Sequence, residues 1–493
     1  MNNLDELLLS KTMNKYPRPK TVSTKTSPFS GKIIVLDDDP TGTQTVHGVP
    51  VYMDWLPGTC EHAFTGDSRV VFILTNSRSF SAEKTREVHI EIAKRLMAAS
   101  LQTKIPFLLI SRSDSTLRGH WPLETSVLRE TLENEGHLPF DAEIICPFFS
   151  DGGRYTIEGV HYVAYDDSLI PVGDSEFAKD KTFGFSSSRL TEWIEEKTKG
   201  EISSGEVVEI SLDMLKSPKA VSNKLMCLSN FEKVSINALY QSHLDNLCVA
   251  LWAAMDAGKT FLFRTAASFI NALGGVSFRP DLDVSEIIKD ISPNGGLIVA
   301  GSHTQKTSEQ LTNLANFPGV TFVNFDQRTA LVNDEAFEAE ILQASKICTI
   351  ALKAGKNVVL STSRKRVDVE TGNPEDELSL AVKISKGLSK AVAKLDCTPR
   401  FVMAKGGITS SDVATDGLKI RRAEIVGQAA PGVPVWRCGE ESRFPGMGYI
   451  ILPGNVGDDM LLYNLVEKLT LYCDCNYTGK RNINLEGLSG LRK

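Results

Sequence analysis

Four short apolar runs in the first third of the chain each stop at a polar loop, and this pattern restricts the fold more than any other feature. Ile33–Leu36 runs into Asp37, Asp38, Asp39, Pro40, Thr41 and Gly42. Arg69–Leu74 runs into Thr75, Asn76, Ser77, Arg78 and Ser79. Pro106–Ile110 runs into the Ser111–Gly119 segment, and Ala142–Phe149 into Asp151, Gly152, Gly153 and Arg154. Short runs rich in β-branched and aromatic residues, bounded by turn formers, predict buried strands. A further extended piece is expected over Val49–Trp55, and helical spacing of apolar residues predicts a helix over Ala82–Leu96. Strands alternating with helices imply a parallel sheet with crossover helices. The polar ends of the strands then share the edge at which α/β proteins bind ligands.

The loops themselves carry charge of both signs. Three adjacent carboxylates repel one another unless cations, hydroxyls or backbone N–H groups compensate. Arg78, Arg112, Arg118 and Arg154 offer planar forks for carboxylate or phosphate. Each serves equally well as a structural ion pair with Asp38, Asp114 or Glu124. Acids, hydroxyls and arginines together suit a small polyhydroxylated acid.

Residues 191–241 carry no motif with identifiable chemistry. A helix is expected over Leu244–Gly258 and a strand over Thr260–Thr265. The Gly258-Lys259-Thr260 triplet is not a P-loop. Ala253 stands where that motif needs glycine, and the helix precedes the strand, so Gly258 reads as a helix stop. Pro and Gly punctuate an acidic stretch from Phe278 to Gly296, where a domain boundary is expected. A second α/β series follows, with strands at Leu297–Ala300, Val320–Phe325, Asn357–Thr362, Arg400–Ala404 and Tyr449–Leu452. Its first helix is expected to begin near Thr307 or Ser308. Ser302, the Gly406-Gly407-Ile408-Thr409 loop and the Gly454-Asn455-Val456-Gly457 loop lie at strand ends or helix starts. Glycine lets backbone approach phosphate, and a helix start offers free N–H groups. Asp458 and Asp459 could hold Mg²⁺ directly or through water.

Composition adds exclusions. A chain of 493 residues with 42% hydrophobic side chains can bury large cores, and its length suggests about three domains. A net charge of -7 argues against general nucleic-acid binding. Nine cysteines cannot all pair, and Cys473 and Cys475 lack a second ligand pair for zinc, so a reduced, cytoplasmic protein is expected. Met1–Ser30 has no apolar core of a secretory signal, and no run approaches the length of a membrane span.

By these motifs the chain resembles the four-carbon acid sugar kinases, over roughly Gly31 to Lys468. Asp38-Asp39-Pro40-Thr41-Gly42 is similar to the family's Asp-Asp-x-Thr-Gly signature, and Thr75–Ser79 and Ser111–Thr116 follow the same order. Gly301-Ser302, Gly406–Thr409 and Gly454–Gly457 match in the second half. The resemblance implies two three-layer α/β domains with largely parallel sheets and an interdomain cleft. These are a sugar-acid-binding domain over 31–285 and a nucleotide-binding domain over 295–475. An extension at 1–30 and a tail at 476–493 flank them. It implies ATP-dependent phosphorylation of the terminal hydroxyl of erythronate, threonate or a 3-oxo-tetronate, with Mg²⁺. Asp38 and Asp39 are then the catalytic candidates. Asp37, Thr41, Arg78, Arg112, Asp114, Ser115 and Arg118 are the substrate-side candidates, with Arg112 or Arg118 on the substrate carboxylate. Ser302, Gly406, Gly407, Ile408, Thr409, Gly454, Asn455 and Gly457 are the ATP contacts, and Asp459 the metal ligand. Partners are the sugar acid and ATP, with no nucleic acid and no membrane, and a homo-oligomer is compatible. Two other classes compete. One is a hydrolase with His120 or His303 as base, for which no G-x-S-x-G elbow exists. The other is a non-catalytic sugar-acid and nucleotide sensor.

Overall fold

The computed structural model describes residues 8–21, 29–277, 279–290, 292–365, 367, 374–454 and 456–478. The chain divides into two compact units. One comprises Met1–Arg279, Val369–Val382 and Arg421–Gly427, and the other Pro280–Asp368, Lys383–Ile420 and Gln428–Lys493.

The first unit is built on the strands that the apolar runs predict: β1 Lys32–Asp37, β2 Val49–Tyr52, β3 Val70–Leu74, β4 Phe107–Arg112 and β5 Ala142–Cys146. Three short strands follow, β6 Arg154–Ile157, β7 Val160–Tyr165 and β8 Ser168–Pro171, then β9 Val208–Ile210, β10 Glu232–Ile236 and β11 Phe261–Thr265. The large sheet runs β2-β3-β1-β4-β11-β5-β10-β9, and every one of these neighbours pairs in parallel. Every residue of β1 and β3 is buried. This is the pattern of a parallel sheet covered on both faces. Ile34, Leu36, Val71, Ile73 and Leu109 pack on one face with Val88, Ile92, Leu96, Leu128 and Leu132 from two helices. β6, β7 and β8 form a separate antiparallel sheet. Its first hairpin turns at Glu158 and Gly159, with φ of 50° and 79°, the left-handed pair that a tight two-residue hairpin requires.

The second unit repeats the scheme with β12 Leu297–Ala300, β13 Val320–Phe325, β14 Asn357–Thr362, β15 Val402–Lys405, β16 Arg422–Ala430, β17 Val433–Cys438 and β18 Gly448–Leu452. The order β13-β14-β12-β15-β18 is parallel, and β17 joins β18 antiparallel. The first half of β16 belongs to the other unit, where Arg422–Ile425 pairs antiparallel with β2.

Several local expectations are corrected. The helix expected over 82–96 continues to Thr103, because Met97 and Ala99 remain buried until Lys104 turns left-handed. The helix expected from Thr307 or Ser308 begins at Gln305. Thr304 caps it by accepting from Thr307 N at 3.3 Å. Residues 191–241 contain two helices and two parallel strands, one of them, β10, inside the sheet. Lys233 on β10 interrupts the apolar run that would have revealed it. Its Nζ pairs with the buried Glu143 at 2.6 Å, and Trp121 Nε1 donates to the same carboxylate at 2.7 Å. Gly258 does stop a helix, Gln241–Asp256, with φ of 96°. All nine cysteines are free thiols. No helix among the described residues is long and apolar enough to cross a membrane.

Trp193, from the helix Leu190–Lys197, is fully buried and stacks on Trp121 with ring centroids 4.5 Å apart. Trp193→Ala should cost about 3–5 kcal/mol of stability, measured by denaturant unfolding. A loss under about 1 kcal/mol would mean that this layer closes without it.

Candidate functional site

The carboxyl ends of β1, β3 and β4 bring the predicted acids and arginines of the first unit together. Asp37 ends β1, and Asp39 caps the turn Pro40–Thr43 by accepting from Thr41 N at 2.8 Å. Arg78, on the loop after β3, spans both following acids. Its Nε and Nη2 donate to the two oxygens of Asp38 at 3.1 and 2.7 Å, and Nη1 to Asp39 Oδ2 at 3.0 Å. Arg112, the last residue of β4, donates through Nη1 to Asp37 Oδ1 at 3.3 Å and Asp38 Oδ1 at 3.4 Å. Gly42 is needed for this geometry, since a Cβ there would overlap both carboxylate oxygens of Asp37. Thr41 is buried in the same turn.

Burial sets the protonation of these acids. It pushes Asp37 up to about 8, Arg112 opposing and Asp38 and Asp39 adding to the rise. It pushes Asp38 up to about 6, against Arg78 and Arg112. Burial acts the same way on Asp114, but Arg118 and Arg78 outweigh it and hold that carboxyl well below the usual range. Arg118 Nε donates to Asp114 Oδ2 at 2.7 Å, and Thr116 Oγ1 donates to the same oxygen. Ser115 contributes its carbonyl, which accepts from His161 Nε2 at 2.8 Å. Burial lowers His161 to about 4, so the imidazole is neutral at physiological pH. Thus Arg78, Arg112 and Arg118 all take the ion-pair role that the sequence leaves open. Glu124 was legible only as an ion-pair partner; it is buried and accepts from Ser77 Oγ at 2.5 Å.

In the second unit three loops meet at Ser302, just beyond β12. Thr304 Oγ1 donates to the Gly454 carbonyl at 2.7 Å, and Thr307 Oγ1 to Ser302 Oγ at 3.1 Å. A Cβ at Gly406 would lie 2.9 Å from Ser302 Cβ, and one at Gly454 2.7 Å from Ser302 Oγ. Gly406, with φ of 107°, caps the helix Gly407–Asp412. Gly407 and Ile408 are half-buried in its first turn, and Thr409 is buried against Gly301. Gly457 lies apart from this convergence, its turn closing on Leu461. Asn455 falls outside the described residues.

Beneath the loops lies Lys405, the last residue of β15, fully buried and donating to the Pro453 carbonyl at 3.1 Å. Burial, then Lys306 and Arg364, lower it to about 7. Lys306 is ion-paired with Asp459 at 3.1 Å. The described residues hold no cluster of three or more His, Cys, Asp or Glu side chains suited to a metal. Asp459 is half-exposed, and one of its oxygens, Oδ1, is held by Lys306. Of the two histidines named above, His120 Nε2 faces the Phe80 carbonyl at 2.9 Å, and His303 Nε2 lies 3.4 Å from Thr362 Oγ1.

Residues 33–273 match the family model described as a sugar-binding N-terminal domain, and residues 297–462 that of a nucleotide-binding C-terminal domain. Among solved structures, the fold is similar to a Salmonella typhimurium LT2 protein provisionally called a tRNA synthase. The TM-score is 0.61 at 18% identity, over 89% of this chain and 98% of that one. It is also similar to the Haemophilus influenzae protein HI1011, of the DUF1537 family, with a TM-score of 0.52 at 17% identity over 89% and 100% of the two chains. At such identities the likeness is one of fold. None of the curated proteins matches the chain.

The raised Asp37 group yields a stability prediction. Its folded-state value of about 8 exceeds the ordinary 3.8, so its contribution is fully present below pH 3.8 and is lost as pH rises toward 8. Wild-type melting temperature should therefore fall more steeply than that of Asp37→Asn between about pH 5 and pH 8. Parallel pH curves would show that Asp37 is ionised in the folded state.

Proposed function

Because the chain belongs to the four-carbon acid sugar kinase family, in which a sugar-binding N-terminal domain precedes a nucleotide-binding C-terminal domain, we propose that it phosphorylates the terminal hydroxyl of a four-carbon acid sugar with ATP. Erythronate, threonate and a 3-oxo-tetronate are the acceptors to test. The observation that carries this reading is Lys405, a buried cation with no carboxylate against it among the described residues, beneath glycine loops that converge on Ser302. A phosphate chain supplies the negative charge that such a site lacks.

Phosphoryl transfer needs positioning and charge stabilisation more than covalent help from the protein. Asp38 or Asp39 accepts the proton of the attacking hydroxyl, and burial brings Asp38 to about 6, close to the working pH. Arg78 bridges both acids and offsets their mutual repulsion. Thr41 and the Asp37 carboxyl offer partners for sugar hydroxyls. The Gly406 and Gly454 loops, with Ser302 and the first turn of Gly407–Asp412, receive the phosphates, and Lys405 neutralises them. Mg²⁺ usually keeps water and phosphate ligands and takes only one or two carboxylates, a demand that Asp459 can meet.

ADP release across the four-carbon acids, with Mg²⁺, tests the activity. Asp39→Asn should lower turnover by about a hundredfold or more while nucleotide affinity stays unchanged. Binding of both ligands by the wild type without turnover would favour the sensor instead. Lys405→Met should weaken nucleotide binding about tenfold or more, because a charged partner of phosphate is lost. The wild-type affinity should also fall as pH rises above about 7, since binding then requires Lys405 to take up a proton. Calorimetry over that range should find the Met variant flat, and an equally steep variant would remove Lys405 from the site.

A further inference from the structure

Three of the arginines around the acid cluster have carboxylates against them. Arg78 holds Asp38 and Asp39, Arg112 holds Asp37 and Asp38, and Arg118 holds Asp114. Arg154 and Arg264 have none within ion-pair distance among the described residues. Arg154 opens β6 and is only 4% exposed. Its Nε is enclosed without a partner, and its guanidinium lies 5.6 Å from the centre of the Phe177 ring. Arg118 lies 5.1 Å from the same ring. Gly152 leaves room beside Arg154, where a Cβ would come within 2.8 Å of Nη1. Arg264 is wholly buried over the Trp193 ring, with Nε and Nη1 unpartnered and one long bond from Nη2 to the Asp114 carbonyl at 3.4 Å.

Burying an unpaired guanidinium is costly, and stacking on an aromatic ring offsets only part of it. Arg118, Arg154 and Arg264 all lie in the field of Asp114. Arg118 also has Asp180 at 3.7 Å. Glu176, which acts on Arg154, and Asp38, Glu124 and Glu143, which act on Arg264, are not within ion-pair distance of those two. The neutral His161 adds no charge to it. The imbalance is one that a ligand anion relieves. Arg112 already faces two acids, its Nη1 lying 3.3 Å from Asp37 and 3.4 Å from Asp38.

We propose that Arg154, with Arg118 across Phe177, seats the carboxylate of the sugar acid and selects acids over the corresponding alditols. This rests on the sugar-acid reading above and gives the carboxylate first to Arg154, one of the four loop arginines, where the resemblance put Arg112 or Arg118. A planar fork matches a carboxylate in bidentate fashion and gains far less from a carbinol. Arg264 lies behind the contact and strengthens the field without touching the ligand.

Calorimetry on the full chain, with erythronate and threonate each beside erythritol or threitol, tests the assignment. Wild type should bind an acid and discriminate against its alditol. Arg154→Gln should lose about tenfold or more in acid affinity, the loss expected of one charge-assisted pair. Its alditol affinity and melting temperature should not fall. Undiminished acid binding by this variant overturns the assignment, and so does an equal loss for acid and alditol. If Arg154→Gln does not fold, Arg154→Lys decides the matter. It keeps the charge but not the fork, so acid affinity should drop severalfold, and unchanged affinity overturns the proposal. A wild type that binds no four-carbon acid overturns the sugar-acid reading itself, which is a different failure.

Discussion

Arg78 lies across two consecutive carboxylates, and the ligand edge of the first unit depends on that one contact. Three acids in a row at the end of a buried strand would otherwise repel one another and resist burial. A single guanidinium donates to both oxygens of Asp38 and to one of Asp39, which ties the two carboxylates together. Arg112 does the same at longer range for Asp37 and Asp38. The third acid is relieved differently, by keeping its proton. The turn that follows can be tight only because Gly42 has no side chain to strike Asp37. Removing the middle of this arrangement would leave unpaired charge in the interior, which costs far more than the pair gains.

The second unit handles charge the opposite way. Its polar groups are mostly hydroxyls: Ser302, Thr304 and Thr307 hydrogen-bond to one another and to the Gly454 carbonyl. Lys405 is left with a carbonyl as its acceptor. A pre-formed hydroxyl network beside buried Lys405, with Lys306 and Arg364 adding positive charge, is suited to a guest that brings negative charge of its own.

Much of this was legible in the chain. Runs such as Val70–Leu74 have no alternation because both faces of the strand are covered, and their abrupt polar ends locate the sheet edge. The clustering of Asp38, Arg78, Arg112 and Asp114 follows from that edge. The pairing of each arginine does not, since a fork on a loop can reach several acids and only packing decides. Residues 191–241 resisted reading because Lys233 and Glu143 sit inside the sheet as a pair, and each alone looks like a surface residue. Arg154 was visible as a loop arginine, yet its place at the start of the small antiparallel sheet, with no carboxylate within ion-pair distance among the described residues, was not. The proton on Asp37 is a property of burial, which no spacing of residues encodes.

The pairing of Arg422–Ile425 with β2 bears on how the chain emerges from the ribosome. The first unit is otherwise drawn almost wholly from the first 279 residues, and this strand leaves the ribosome about 140 residues later. At about 5–20 residues per second, the delay is on the order of ten seconds. Throughout it, one edge of β2 has unsatisfied backbone N–H and C=O groups, a template for pairing with other nascent chains. Pro50, which cannot donate to such a pairing, stands within that strand. The same residue is tolerated in the finished sheet and obstructs foreign strands while the edge waits, so β2 is guarded during synthesis by its own sequence.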